Sequence, residues 1–73
     1  MKFIEALIED GGDITIGRIG PIQCAATAAD GHNVLAMLVR RDGETLRELI
    51  KRLDRAIEQF YETDQPVDEI NSP

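Results

Sequence analysis

The sequence predicts an α+β domain: a four-stranded antiparallel meander followed by one C-terminal amphipathic helix, in the order ββββα. Three observations predict it. Residues 42–60, DGETLRELIKRLDRAIEQF, carry an apolar stripe at three- and four-residue spacing behind a clear helix start. Ahead of them, short apolar or alternating runs are separated by turn clusters, Asp10-Gly11-Gly12-Asp13, Gly20-Pro21 and Asp30-Gly31-His32-Asn33. Residues 34–39, VLAMLV, are apolar at six successive positions, the pattern of a strand buried on both faces.

Taken in order, residues 2–9 place Phe3, Ile4, Leu7 and Ile8 where either a helix face or a strand would use them. The run is short and meets EDGGD at once, so a strand is expected, joined by a hairpin to the next. In ITIGRIG, Ile14, Ile16 and Arg18 alternate with Thr15, Gly17 and Ile19 until Gly20-Pro21 ends or bends the chain. IQCAATAA, residues 22–29, begins after Gly-Pro and stops at DGHN, and its small side chains suit a strand over which something packs closely. In the helix, Thr45 and Glu48 form a capping box, and Glu44 and Glu48 place negative charge at the positive end of the dipole. Leu46, Leu49, Ile50, Leu53, Ala56, Ile57 and Phe60 make one apolar face. Pro66 stops continuation, so residues 1–63 are expected as one domain and 64–73 as an acidic, mostly flexible tail in which Val67 and Ile70 can clip onto it.

At 73 residues a single core barely offsets the cost of ordering the chain, about 1.5 kcal/mol per residue. One helix covers one face of a sheet, while VLAMLV points apolar groups both ways. A second subunit is therefore expected over the other face or an edge, with Val34, Ala36 and Leu38 as its interface. The aromatic residues are Phe3, Phe60 and Tyr61, so aliphatic residues and alanine build the core. The single cysteine, Cys24, excludes an internal disulfide and fits a reducing, cytoplasmic setting. FIEALI is too short to span a bilayer and lacks the features of a leader, so neither membrane nor targeting segment is expected.

The net charge of −6 is unevenly spread. Residues 40–55 hold six of the eight basic groups against four acids, whereas residues 58–73 carry five acids and no base. A dominant positive surface is absent, which makes nucleic acid an unfavourable partner and a basic protein a favourable one. Arg47, Lys51 and Arg55 fall four residues apart on the helix, with Arg52 beside them and Arg40 and Arg41 at its entry. Glu48 and Glu58 stand at pairing distance from Arg52 and Arg55, so most of this ridge reads as a solvated helix face. Arg47, Lys51, Arg52, Arg55, Glu58 and Glu62 are the candidate partner-binding residues.

Catalytic and metal chemistry find no support. Cys24, His32 and Asp30 are the only nucleophile, base and orienting set, and Cys24 and His32 would stand roughly 20 Å apart along one strand. DGGD and DGHN lack the ligands of a calcium loop, one His with one Cys makes no zinc set, and GRIG precedes no helix that would cradle phosphate. No enzyme, cofactor or metal is expected.

GETLRELIKRLDRAI is similar to the helix start of HicB-like antitoxins, with Gly43, Glu44, Thr45, Glu48, Ala56 and Ile57 at the matching positions. ALIEDGGDITIGRI resembles that family's opening hairpin, and together the two segments cover about half the chain. Residues 20–41 are longer and more apolar than the family's usual connection. No DNA-binding segment is expected in the ten residues after Thr63. The resemblance implies the toxin-neutralising half alone, a small sheet-and-helix module that covers a basic ribonuclease toxin. The expectation is thus a non-enzymatic, homodimeric regulatory or inhibitory module acting on a basic protein such as a ribonuclease toxin or nuclease. Two alternatives stand beside it. One is an inhibitor of mobile-element or phage type that mimics nucleic acid through Glu58, Glu62, Asp64, Asp68 and Glu69. The other is a structural subunit of a larger assembly.

Overall fold

The computed structural model describes residues 1–71. The elements run α1 (Lys2–Glu9), β1 (Asp13–Ile19), β2 (Ile22–Ala29), β3 (Val34–Val39), α2 (Leu46–Thr63) and β4 (Val67–Asp68). They form an α+β fold in which a four-stranded sheet of order β1-β2-β3-β4 carries both helices on one face. β1, β2 and β3 are the expected antiparallel meander, but β4 joins β3 in parallel, with Ala36 beside Val67 and Met37 beside Asp68. The fourth strand therefore follows the long helix instead of opening the chain. A parallel neighbour requires such a crossover.

Residues 2–9, expected as a strand, are helical. Eight residues hold a helix poorly in water, and this one has no side-chain cap of its own. Its cap comes from α2, where Asp54 Oδ1 accepts the backbone N–H of Phe3 and of Ile4, each at 2.9 Å. Leu7 enters the core, and Phe3 and Ile4 pack against it. After Asp10 the chain turns so closely under Leu7 that a Cβ on Gly12 would lie 2.5 Å from Leu7 Cδ1 and 2.9 Å from the Ala29 carbonyl oxygen.

The long helix forms as its sequence indicates. Thr45 Oγ1 accepts the N–H of Glu48 at 3.1 Å, and Glu48 Oε1 accepts the N–H of Thr45 at 2.8 Å. Leu49, Leu53, Ala56 and Ile57 are buried against Ala26, Ala28, Leu35, Ala36 and Leu38. The alanines of β2 let the helix approach the sheet closely. Leu46, at the first turn, stays 48% exposed.

VLAMLV does not present two equivalent buried faces. A register shift falls between Ala28 and Ala29 of β2, where β3 steps from Ala36 to Val34. This bulge brings Leu35 into the same core cluster as Ala36 and Leu38. Ala36 and Leu38, expected at a subunit interface, are 0% and 1% exposed within the single chain and are not available to one; Val34 is 47% exposed. Alternation leaves Met37 and Val39, both half-buried, on the opposite face.

The segment expected as a solvated tail supplies β4, with Val67 packed against the core and Ile70 half-buried. Residues 72–73 of that tail lie outside the described residues. Among the described residues no helix is long and apolar enough to cross a membrane.

Candidate functional site

With both helices on one side, no helix covers the other side of the sheet, although Ala25 at its middle is enclosed by its neighbours and 0% exposed. The pairing register sets three rows across it: Thr15, Thr27 and Met37; Gly17, Ala25 and Val39; and Asp13 beside Ala29. Apart from Asp13, these groups are small or apolar, and their polar side-chain atoms are the two threonine hydroxyls. Carboxylates stand at the margins, Asp13 on β1 and Asp68 beside Met37 on β4. Asp68 is tied down by the N–H groups of Ile70 and Asn71 at 2.9 and 2.8 Å, which hold its carboxyl below the usual range. An uncharged centre with fixed negative charge at its rim suits an apolar surface bordered by basic residues.

The expected basic ridge divides in two. Arg52 points to the seam between β3 and β4 and is fully engaged there. Its Nε and Nη2 donate to the two carboxylate oxygens of Glu44 at 2.7 and 3.0 Å, Nη2 also to the Val39 carbonyl at 2.9 Å, and Nη1 to Glu69 at 2.8 Å. Glu69 completes the clasp by accepting the N–H of Val39 at 2.9 Å, while its own N–H donates to the Met37 carbonyl at 2.7 Å. Arg52, with the Arg41 N–H second, holds the Glu44 carboxyl down at about 2. Arg52 is therefore a structural tie joining the end of β3, the α2 entry loop and β4, which removes it from the partner-binding set. The expected Glu48–Arg52 pair does not form, since Glu48 is occupied by Thr45.

Arg47, Lys51 and Arg55 remain exposed, and none has a carboxylate within 4.0 Å among the described residues. Glu62 lies on the same solvent side of α2, and Glu58 is half-buried.

Cys24 and His32 are brought no closer by folding. Cys24 is half-buried near the β3 exit, where its carbonyl accepts the Arg40 N–H at 3.0 Å. It lines an open cleft of about 820 Å³ together with Ile22, Arg40, Arg41 and Glu44. His32 is in the turn at the other end of β2, where Asp30 Oδ1 accepts the N–H groups of His32 and Asn33 at 2.8 and 2.6 Å. Those bonds spend Asp30 on the turn and depress its carboxyl. Among the described residues no group of three or more His, Cys, Asp or Glu side chains is placed to hold a metal ion.

Reading the sequence missed the Arg52 clasp and the uncovered face of Thr15, Thr27, Met37 and Val39. The signal for the face was present in the alternation of β2 and β3, masked by alanines that fit either side. Set against models of known protein families, curated protein sequences and solved structures, the chain matches none of them.

Proposed function

We propose that this chain is a non-enzymatic protein-binding module of regulatory or inhibitory kind, antitoxin-like in type, that works as a homodimer in the cytoplasm. Its partner is a basic protein such as a ribonuclease toxin or nuclease. The observation that carries this reading is the sheet face that no helix covers, where Thr15 is exposed and Thr27, Met37 and Val39 are half-buried, uncharged at its centre and rimmed by Asp13 and Asp68, on a molecule of net charge −6. Burial of such a face releases water from small apolar groups, and the acidic rim selects a basic border.

The test is co-expression with a toxic nuclease encoded beside this chain's gene. Growth should be rescued by the native chain and lost with Thr27→Arg or Met37→Arg, both of which place a cation at the centre of the face. Arg47→Glu, on the opposite side, should leave rescue intact. Rescue that survives both face variants and fails with Arg47→Glu rejects the sheet face as the docking surface.

The nucleic-acid mimic has weaker support, because Glu69 is spent on Arg52 and the Val39 N–H within the chain. No observation singles out the structural-subunit reading.

A further inference from the structure

The solvent side of α2 is charged along its length, and the charges are sorted by sign. Arg47, Glu58, Lys51, Glu62 and Arg55 follow one another around the helix within about 80°, opposite the buried stripe of Leu49, Leu53, Ala56 and Ile57. The bases occupy the first half of this band and the acids the second. Glu58 is half-buried and the other four are exposed, and none of the five meets an opposite charge within 4.0 Å among the described residues. Within one chain this order is unfavourable. Arg47, Lys51 and Arg55 repel one another along a row of four-residue steps, as do Glu58 and Glu62. Glu62 also stands in the last turn, at the negative end of the dipole, where α2 has no base. An arrangement that costs the helix locally, with no compensation inside the chain, marks a surface used for something else.

We propose that α2 packs antiparallel against α2 of a second copy through this charged band, about a two-fold axis level with the step from Ala56 to Ile57. This register sets Arg55 against the second copy's Glu58 and Lys51 against its Glu62, and symmetry makes each pair twice. Other registers fit less well. One that sets Arg47 against Glu62 and Lys51 against Glu58 brings the two Arg55 guanidinium groups together near the axis. One that sets Arg47 against Glu58 leaves Glu62 past the start of the partner's helix, and a parallel pair stacks like on like. Arg47 stands outside the contact, facing the level of Pro66 beyond the end of the partner's helix.

A second copy fits better than another partner because the band carries both signs in sequence. A basic partner meets Lys51 and Arg55, and an acidic one meets Glu58 and Glu62, whereas an antiparallel copy answers each half with its opposite. No apolar side chain stands in the band, so the contact is weak and salt-sensitive, held by charge and by the aliphatic stems of Lys51 and Arg55. The helices lie at the centre of the product, and the two open sheet faces point outward, each free for a partner. The inference deepens the homodimer of the proposed function and rests on that reading.

Two measurements test it on the full chain. Sedimentation at low ionic strength and high micromolar concentration should give a mass near twice 8.1 kDa, and added salt should raise the dissociation constant. Lys51→Glu should raise it about tenfold, because a carboxylate then faces Glu62 at both ends of the contact. Glu62→Lys, added to Lys51→Glu, should restore the dimer, and Arg47→Glu should leave it unchanged. Separately, the native chain treated with a carbodiimide should give a covalent dimer linked from Lys51 to Glu62. The reagent joins an ammonium and a carboxylate in direct contact as an amide and takes up the water released. Within one helix these two residues are eleven positions apart, about 16 Å, too far for such a bond, so the link identifies two copies. Circular dichroism identifies any variant that fails to fold, and the cross-link on the native chain is independent of the variants. A dimer that ignores Lys51→Glu, or that links Lys51 to Glu58 in place of Glu62, overturns this pairing while leaving a homodimer in place. A mass of 8.1 kDa throughout overturns both.

Discussion

Gly12 and Arg52 carry the sharpest consequences of single side chains. At Gly12 the backbone passes beneath Leu7, which is 1% exposed, and a methyl group there would press on the Leu7 side chain and the Ala29 carbonyl together. Gly12→Ala should cost about 1–3 kcal/mol in urea denaturation, the usual range for overpacking. Gly31→Ala, with nothing within 4 Å, should be near neutral by the same measurement. For Glu44 the unfolded carboxyl titrates near 4.5 and the folded one near 2, so in that interval the unfolded chain binds more protons. The stabilisation is present above the unfolded value and is lost as pH falls through about 4.5 to about 2. Asp30, Glu48 and Asp68 are shifted in the same direction by hydrogen bonds to their carboxylates. The urea midpoint should therefore fall steadily on acidification across this window. Arg52→Gln should lower the midpoint at neutral pH and flatten its acid dependence. Arg52→Lys should restore little, because an ammonium cannot bridge both Glu44 oxygens and reach Val39 and Glu69 as a planar guanidinium does.

Among the elements, the two helices differ in how they are started. α2 carries its own signal, and Thr45→Ala should cost about 1 kcal/mol through loss of the hydroxyl that receives the Glu48 N–H. α1 borrows its signal from Asp54, about fifty positions away in sequence. Asp54→Ala should leave two N–H groups of α1 without their acceptor and cost about 0.5–2 kcal/mol. Hydrogen exchange should show the loss concentrated in α1, with β2 and β3 still protected. Uniform loss of protection would instead make Asp54 part of the global core. The same contrast explains legibility. Thr45 and Glu48 are three residues apart, and their bond can be seen in the chain, whereas the partner of Phe3 and Ile4 emerges only when α2 lies across α1. The β3 bulge is of the second kind, because VLAMLV gives no local sign of where register will slip.

For the whole molecule, the important asymmetry is that both helices and the β4 clasp secure one side and one edge of a small sheet. Deleting residues 64–73 removes Val67 from the core margin and Glu69 from Arg52 and Val39. It should lower the urea midpoint well beyond the effect of deleting a solvated tail and increase exchange at the N–H of Val39. Leu53→Ala, at the centre of the single core, should cost about 2–5 kcal/mol. These losses are large against the few kcal/mol available to a domain of this size. The solvent side of α2 and the open face are the places where a partner can add stability.

The sequence by itself determined the α+β class, the three-strand meander and its turns, the capping box and the buried stripe of α2. Each rests on residues within a few positions of one another, where periodicity and hydrogen-bonding chemistry act locally. Tertiary structure decided that residues 2–9 form a helix, that residues 67–68 form the fourth strand, and that Arg52 binds the chain to itself. It also decided which side of β2 and β3 is left open, placing Ala36 and Leu38 in the core and Met37 and Val39 outside it. Those outcomes depend on groups distant in sequence, Asp54 with Phe3 and Glu69 with Val39 and Arg52, whose free energy appears only once folding has brought them together.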